Sequence, residues 1–231
     1  MKGRSPLRGS VVLLSGGMDS ATCLALAARD AKPVHALTVV YGQRHAREAA
    51  SAKRLVRHFR AVEHRTVRLP IQSLLPSALT DRRRPLPSRR GHPSRGPIPA
   101  TYVPARNTIL LALALAFAEA RRCRSIYIGA NAVDYSGYPD CRPEFLTAFE
   151  RLAARATRVA VEEGRPVHVV APLLRKSKAG IVREGEKLGV PWGLTWSCYR
   201  GGRRPCGHCD ACRLRRKGFA EAGIQDPLVG S

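Results

Sequence analysis

Two groups of residues in this chain of 231 are spaced for chemistry. The first is the run Leu14-Ser15-Gly16-Gly17-Met18-Asp19-Ser20-Ala21-Thr22. It follows a short apolar stretch, residues 11–14, and leads into residues 21–29, which read as a helix. Glycines let a backbone turn tightly and approach an anion with no Cβ in the way. The helix N-terminus behind them offers unpaired N–H groups and a partial positive charge. Ser15, Ser20 and Thr22 add hydroxyl donors. The chemistry is phosphate binding of an unusual kind. A Walker A loop carries a lysine, and this run carries Asp19 instead. A carboxylate beside phosphates repels them unless a cation lies between, so the turn calls for Mg²⁺. Gly-Gly alone would read as a plain turn with an Asp cap; the whole string between strand and helix reads as a phosphate loop.

The second group is Cys198, Cys206, Cys209 and Cys212, spaced C-x7-C-x2-C-x2-C. Thiolates this crowded repel one another unless a soft cation joins them, and tetrahedral zinc with four cysteine ligands is the usual solution. Four thiolates leave no open position, so the expectation is one structural Zn²⁺ per chain. An iron–sulfur cluster is the competing reading. Gly201, Gly202 and Gly207 allow the turns, and Arg203, Arg204 and Arg213 offset the negative charge. His208 is surplus to four thiolates. Cys23, Cys123 and Cys141 have no partner spacing and read as inert thiols.

These groups need elements to hold them. Strands are expected at residues 11–14, 34–40, 63–69, 125–129 and 167–171. Helices are expected at 21–29, 45–60, from about 107 to 122, over 142–163 and over 177–188. Asn107 or Thr108 would cap the third, whose Leu/Ala composition implies burial on all sides. Ser177 would start the last. This alternation predicts an α/β fold with a mostly parallel sheet flanked by helices. Residues 70–106 hold eight Pro and little periodicity, as a functional loop would. Residues 196–219 break the rhythm and promise no ordinary core. The chain divides into a flexible terminus (1–10), the α/β domain (11–195), a zinc-binding segment (196–219) and a tail (220–231).

Composition excludes several classes. Apolar residues are 44% and charged residues 25%, which rules out wholesale disorder. The longest apolar run, residues 109–118, is too short to span a membrane. The apolar stretch behind Lys2, Arg4 and Arg8 is stopped by Ser15-Gly16-Gly17, too soon for a signal peptide. With cysteines spaced for metal, this points to a reducing cytoplasm. Net charge is +23, and most of the basic residues are Arg scattered over nearly every element. Few aromatics interleave with them, so a nucleic-acid interface is disfavoured against compositional background and some attraction for small anions.

The string Ser-Gly-Gly-Met-Asp-Ser at the first turn resembles the PP-loop of the N-type ATP pyrophosphatases, which cleave ATP between its α and β phosphates. Four further strings narrow the resemblance: Tyr41-Gly42-Gln43-Arg44-His45, Val103-Pro104-Ala105-Arg106-Asn107-Thr108, the stretch from Asp134 to Phe145, and Leu194-Thr195-Trp196-Ser197-Cys198-Tyr199. Together they are similar to the 7-cyano-7-deazaguanine synthase (QueC) family, over about residues 11–219. The resemblance implies a Rossmann-like PP-loop fold. It implies ATP-dependent conversion of 7-carboxy-7-deazaguanine and ammonia to the nitrile, with AMP and pyrophosphate released, in queuosine biosynthesis. It also implies a homodimer. Residues 14–22 would bind ATP with its Mg²⁺, with Asp19 and Lys178 taking part in catalysis. Lys178, at a helix start, would offset charge on the α-phosphate. Arg106 and Asn107 would hold the nucleotide or base. Asp134, Tyr135, Tyr138, Asp140 and Arg142, after the fourth strand, would meet the deazapurine. His45 is either a base or a helix-start residue. Thiolation of tRNA would need reactive cysteines in a C-x-x-C pair near the ATP site, and Cys23, Cys123 and Cys141 form none.

Overall fold

A computed structural model of the chain describes residues 6–42, 47–81, 83–85, 98–132 and 137–229. Five strands form one sheet: β1 (Ser10–Leu13), β2 (Val34–Val40), β3 (Glu63–Arg68), β4 (Ser125–Tyr127) and β5 (His168–Val170). All four pairings are parallel, in the order β3-β2-β1-β4-β5. The chain runs outward from β1 to β3, then returns to lay β4 on the other side of β1. That reversal opens a crevice at the carboxyl ends of β1 and β4, where open parallel sheets take ligands.

The helices are α1 (Met18–Asp30), α2 (Arg47–His58), α3 (Arg106–Ala120), α4 (Pro143–Ala156), α5 (Arg158–Glu163), α6 (Lys178–Lys187) and α7 (Asp210–Ala222). Alternation along β1 divides the core. Val12 and Leu14 face a cluster containing Leu24 of α1, Leu55 of α2, Ile181 of α6 and Phe219 of α7. Val11 and Leu13 face the opposite cluster, with Leu111 and Leu115 of α3 and Phe149 of α4. A central strand buried on both faces is the reason β1 is apolar without alternation.

Four sequence expectations need correction. First, Asn107 and Thr108 do not cap α3. The helix begins at Arg106, behind Ala105 in the left-handed region (φ 49°), and the Asn107 N–H is taken by the carboxyl of distant Asp140 at 2.8 Å. Second, α3 is not buried all round. Ala112, Ala116 and Ala120, spaced four apart, form an exposed outer stripe. Alanine tolerates exposure, so a uniformly apolar sequence still packs by one face. Third, the helix expected over residues 142–163 breaks at Thr157. That residue is extended (φ −111°, ψ 141°), its hydroxyl bonds back to the Ala153 carbonyl at 2.9 Å, and buried Val159 restarts the chain as α5. Fourth, residues 196–219 do contribute core. Their second half opens α7, which buries Arg215, Gly218 and Phe219.

Described parts of the Pro-rich stretch are packed rather than loose. The Thr80 hydroxyl donates to the Leu75 carbonyl at 2.6 Å, and the Ala78 N–H bonds the Ala100 carbonyl at 2.9 Å. Among the described residues no helix is long and apolar enough to cross a membrane.

Candidate active site

Leu14 extends the register of β1 by one residue through a 2.9 Å bond from its N–H to the Leu37 carbonyl. The chain then turns. Gly16 has φ +91°, and a Cβ there would lie 2.3 Å from the Glu48 carbonyl oxygen, so only glycine fits. Ser20, buried in the first turn of α1, ties the turn to the helix. Its Oγ accepts the Gly16 N–H at 3.2 Å and donates to the Gly17 carbonyl at 3.1 Å. Ser15 stays exposed, with its hydroxyl 3.1 Å from Ser20 Oγ and 3.3 Å from the Gly17 N–H. Gly17 is the N-cap of α1, and no side chain caps it. The turn therefore presents an uncapped helix N-terminus.

Asp19 sits in that first turn. The end of β4 comes so close that a Cβ on Gly129 would meet Asp19 at 3.2 Å. One carboxyl oxygen, Oδ2, accepts Lys178 Nζ at 2.6 Å and Asn131 Nδ2 at 3.1 Å. The other, Oδ1, is buried with no hydrogen-bond partner. Lys178 is the first residue of α6, whose start is fixed by the Ser177 hydroxyl accepting the Gly180 N–H at 3.1 Å. Lys176, two residues earlier, turns instead to Glu184 at 3.4 Å. The cation that a Walker loop carries internally thus arrives from a helix far along the chain. A buried oxygen with no donor, beside a cationic partner on its twin, fits a ligand for a hard cation such as Mg²⁺.

These groups open on a cleft of about 250 Å³, walled by Ser15, Asp19, Glu48, Arg106, Tyr138 and Tyr199 among others. The Arg106 guanidinium donates to Tyr41 Oη at 3.3 Å and leaves a buried Nε with no partner. Asn107 Nδ2 donates to the Asp140 carbonyl and to Cys141 Sγ, both at 3.0 Å. Tyr138 stacks on Tyr102 with ring centroids 6.0 Å apart, and its hydroxyl lies 2.7 Å from Thr101 Oγ1.

The structure gathers Ser15, Asp19, Ser20, Lys178, Arg106, Asn107 and Tyr138 at or beside the cleft. Met18, Ala21 and Thr22 point into the protein. Thr22 donates to the Met18 carbonyl at 3.0 Å and lies against Gly185 of α6. Asp140 is buried and engaged with the start of α3, and Arg142 is exposed at the N-cap of α4. Asp134 and Tyr135 lie outside the described residues, as do Gln43, Arg44 and His45.

Sequence reasoning missed Glu48 and Asn131. Glu48, in the first turn of α2, lines the cleft; burial pushes its carboxyl up to about 7, with Arg106 opposing. In the sequence it is one acidic residue at a helix start, an ordinary feature. Asn131, fully buried, had a usable signal: it lies just past β4, where such sheets place ligands.

The four cysteines also converge. Their sulfur atoms all lie within 4.8 Å of one another, and Cys198, Cys209 and Cys212 are buried. Cys198 Sγ accepts the Cys206 N–H at 3.3 Å, and Cys206 Sγ accepts the Cys209 N–H at 3.4 Å, as turns folded around thiolates provide. The donor set fits a soft tetrahedral ion. His208 is exposed and bonds to the Cys206 carbonyl. Cys23 is fully buried, and burial followed by the charge of Asp19 pushes its thiol well up; burial raises Cys123 to about 11. Neither is a ready nucleophile.

Arg215 of α7 joins the two sites. It makes a bidentate pair with Asp226 (2.7 and 2.8 Å), donates to Thr195 Oγ1 at 2.7 Å and reaches the Trp192 carbonyl at 3.2 Å. One residue beyond Thr195, the Trp196 N–H bonds the Gly16 carbonyl at 2.9 Å. The cysteine segment is thereby tied to the glycine turn.

A parallel Rossmann-like sheet with a lysine-free glycine turn at its switch point, and a cation supplied to that turn across the cleft, is the architecture of a PP-loop fold. The fold agrees with that of the NMN synthetase from Francisella tularensis, at 18% identity and a TM-score of 0.51, covering 95% of this chain and 79% of that one. The family described as Queuosine biosynthesis protein QueC matches residues 9–223, and the chain belongs to that family. It is 59% identical over 228 residues to the 7-cyano-7-deazaguanine synthase of Anaeromyxobacter sp., covering 98% of this chain and 97% of that protein. It is 52% identical over 223 residues to the 7-cyano-7-deazaguanine synthase of Methylococcus capsulatus, covering 96% and 98%.

Proposed function

We propose that the chain is an ATP-dependent C–N ligase that converts 7-carboxy-7-deazaguanine and ammonia to 7-cyano-7-deazaguanine, releasing AMP and pyrophosphate. A carboxylate is a poor electrophile, and transfer of AMP to it creates a good leaving group. Ammonia then yields the amide, and a second adenylation on the amide oxygen allows the nitrile to form. One ATP site serves both rounds, because each activates an oxygen on the same carbon.

The observation that carries this reading is the division of labour on Asp19, one oxygen clamped by Lys178 and Asn131 and the other buried without a donor. Asp19 would hold Mg²⁺, which when bound screens the phosphate charge. The turn at Ser15, Gly16, Gly17 and Ser20 would seat pyrophosphate on the N-terminus of α1. Lys178 would face the α-phosphate. The unpaired Nε of Arg106 would meet an anionic group of nucleotide or substrate, while Asn107, held through Asp140, positions it. Tyr138 would flank the deazapurine ring, with Asp134, Tyr135, Asp140 and Arg142 belonging to the same substrate region. The four cysteines would hold one structural Zn²⁺ per chain. The same reading has the protein working in the cytoplasm as a homodimer, without direct binding of nucleic acid.

Mass spectrometry of products formed from ATP, ammonium and 7-carboxy-7-deazaguanine tests it. AMP, pyrophosphate and nitrile are expected together. ADP with orthophosphate, or no response to the carboxylated deazapurine, would overturn it.

A further inference from the structure

We infer that Glu48 is the catalytic base that takes protons from nitrogen at this site. The inference rests on the reaction proposed above and adds a residue to it.

Ammonia brings three N–H bonds and the nitrile keeps none. When ammonia attacks the acyl adenylate, a C–N bond forms, AMP leaves with the electron pair of the C–O bond, and one N–H proton must depart. When the adenylated amide collapses, its C–O bond breaks, AMP leaves with that pair, and the remaining two N–H protons are lost as the triple bond forms. The adenylations differ. There an oxygen attacks the α-phosphorus and pyrophosphate leaves, with no proton to be accepted. A base is therefore required in the nitrogen steps and idle in the phosphorus steps.

The ionisable groups facing the cleft are few among the described residues. They are Asp19 of α1, Glu48 of α2, Arg106 of α3, Cys141 ahead of α4, and the tyrosines 41, 138 and 199. Arginine and tyrosine hold their protons at neutral pH. Cys141 Sγ is buried against Asn107. Asp19 is clamped by Lys178 and Asn131. Among the described residues Glu48 remains, and it lines the cleft. Its backbone carbonyl packs on Gly16 of the glycine turn, which opens on that same cleft. Its neighbour Arg47 is turned away, 4.8 Å over the Trp196 ring and 3.1 Å from the Arg203 carbonyl. Burial raises the carboxyl to about 7 and Arg106 restrains the rise, which suits proton transfer near neutral pH.

Rapid-quench single turnovers of the full chain with Glu48→Gln test this, using ATP, ammonium and 7-carboxy-7-deazaguanine. Pyrophosphate release in the first round should stay within about threefold of wild type, while amide and nitrile formation fall roughly 10²–10³-fold, the usual scale for a lost general base. The acidic limb near pH 7 in the wild-type single-turnover rate of amide formation, measured at constant free ammonia, should vanish in Glu48→Gln and return in Glu48→Asp. Should Glu48→Gln fail to fold by circular dichroism, Glu48→Asp carries the test with the same split at smaller size. Equal losses in pyrophosphate and nitrile, or nitrile formation at the wild-type rate, would overturn the assignment. Wild type that makes no nitrile would overturn the reaction itself, and the base with it.

Discussion

The cysteine cluster and the cleft at the glycine turn are built on opposite plans. All four converging sulfur atoms come from residues 198–212, and their convergence is a property of one short segment. The cleft takes its groups from α1, α2, α3, α6 and the ends of β1 and β4, between Ser15 and Tyr199. A local site depends on its own turns and on whatever ion its donors take. A distributed site depends on the whole sheet, and each missing partner leaves a buried charge. The difference teaches where each is fragile: the first through ligation, the second through pairing.

The sharpest way to break the contrast is at Cys209. Cys209→Ser should lose bound metal and soluble, folded protein together, since binding free energies of structural zinc run to about 10 kcal/mol or more. Metal analysis beside circular dichroism reads both, and a stable, metal-free, active variant would remove the structural-metal assignment. Asp19→Ala is next. It should lower pyrophosphate release by about 10³-fold, near 4 kcal/mol of transition-state stabilisation, while the fold persists. Isotope exchange between pyrophosphate and ATP measures it, and unchanged exchange would sink the phosphate-turn assignment. The smallest of the three lies at the joint. Arg215→Met leaves Asp226 buried without its partner and should cost about 3 kcal/mol of stability, read by denaturant titration. If the two sites communicate through Thr195 and Trp196, the KM for ATP should rise in the folded fraction, whereas a purely structural pair would leave it unmoved.

Much of this was legible in the chain itself. The strand-to-helix alternation predicted the parallel sheet, because periodicity is written within each element. The glycine turn at residues 15–20 and the convergence of the four cysteines were legible for the same reason: all the information is local. Glu48 and Asn131 escaped notice because neither belongs to a dense motif. Each acquires a role only from what packs against it. The cap of α3 was misplaced by the same logic, since Asp140 reaches it from a turn far along the chain.

The sequence by itself determined the layered architecture, the glycine turn with its missing lysine, and the closely spaced thiols. Each is set by backbone freedom, apolar period or ligand spacing over a few residues. Only the tertiary structure decided which cation stands on Asp19, which of its oxygens is left without a donor, and which carboxyl faces the cleft. Those are Coulombic and desolvation effects between groups remote in the chain, and their size depends on distances that only packing sets.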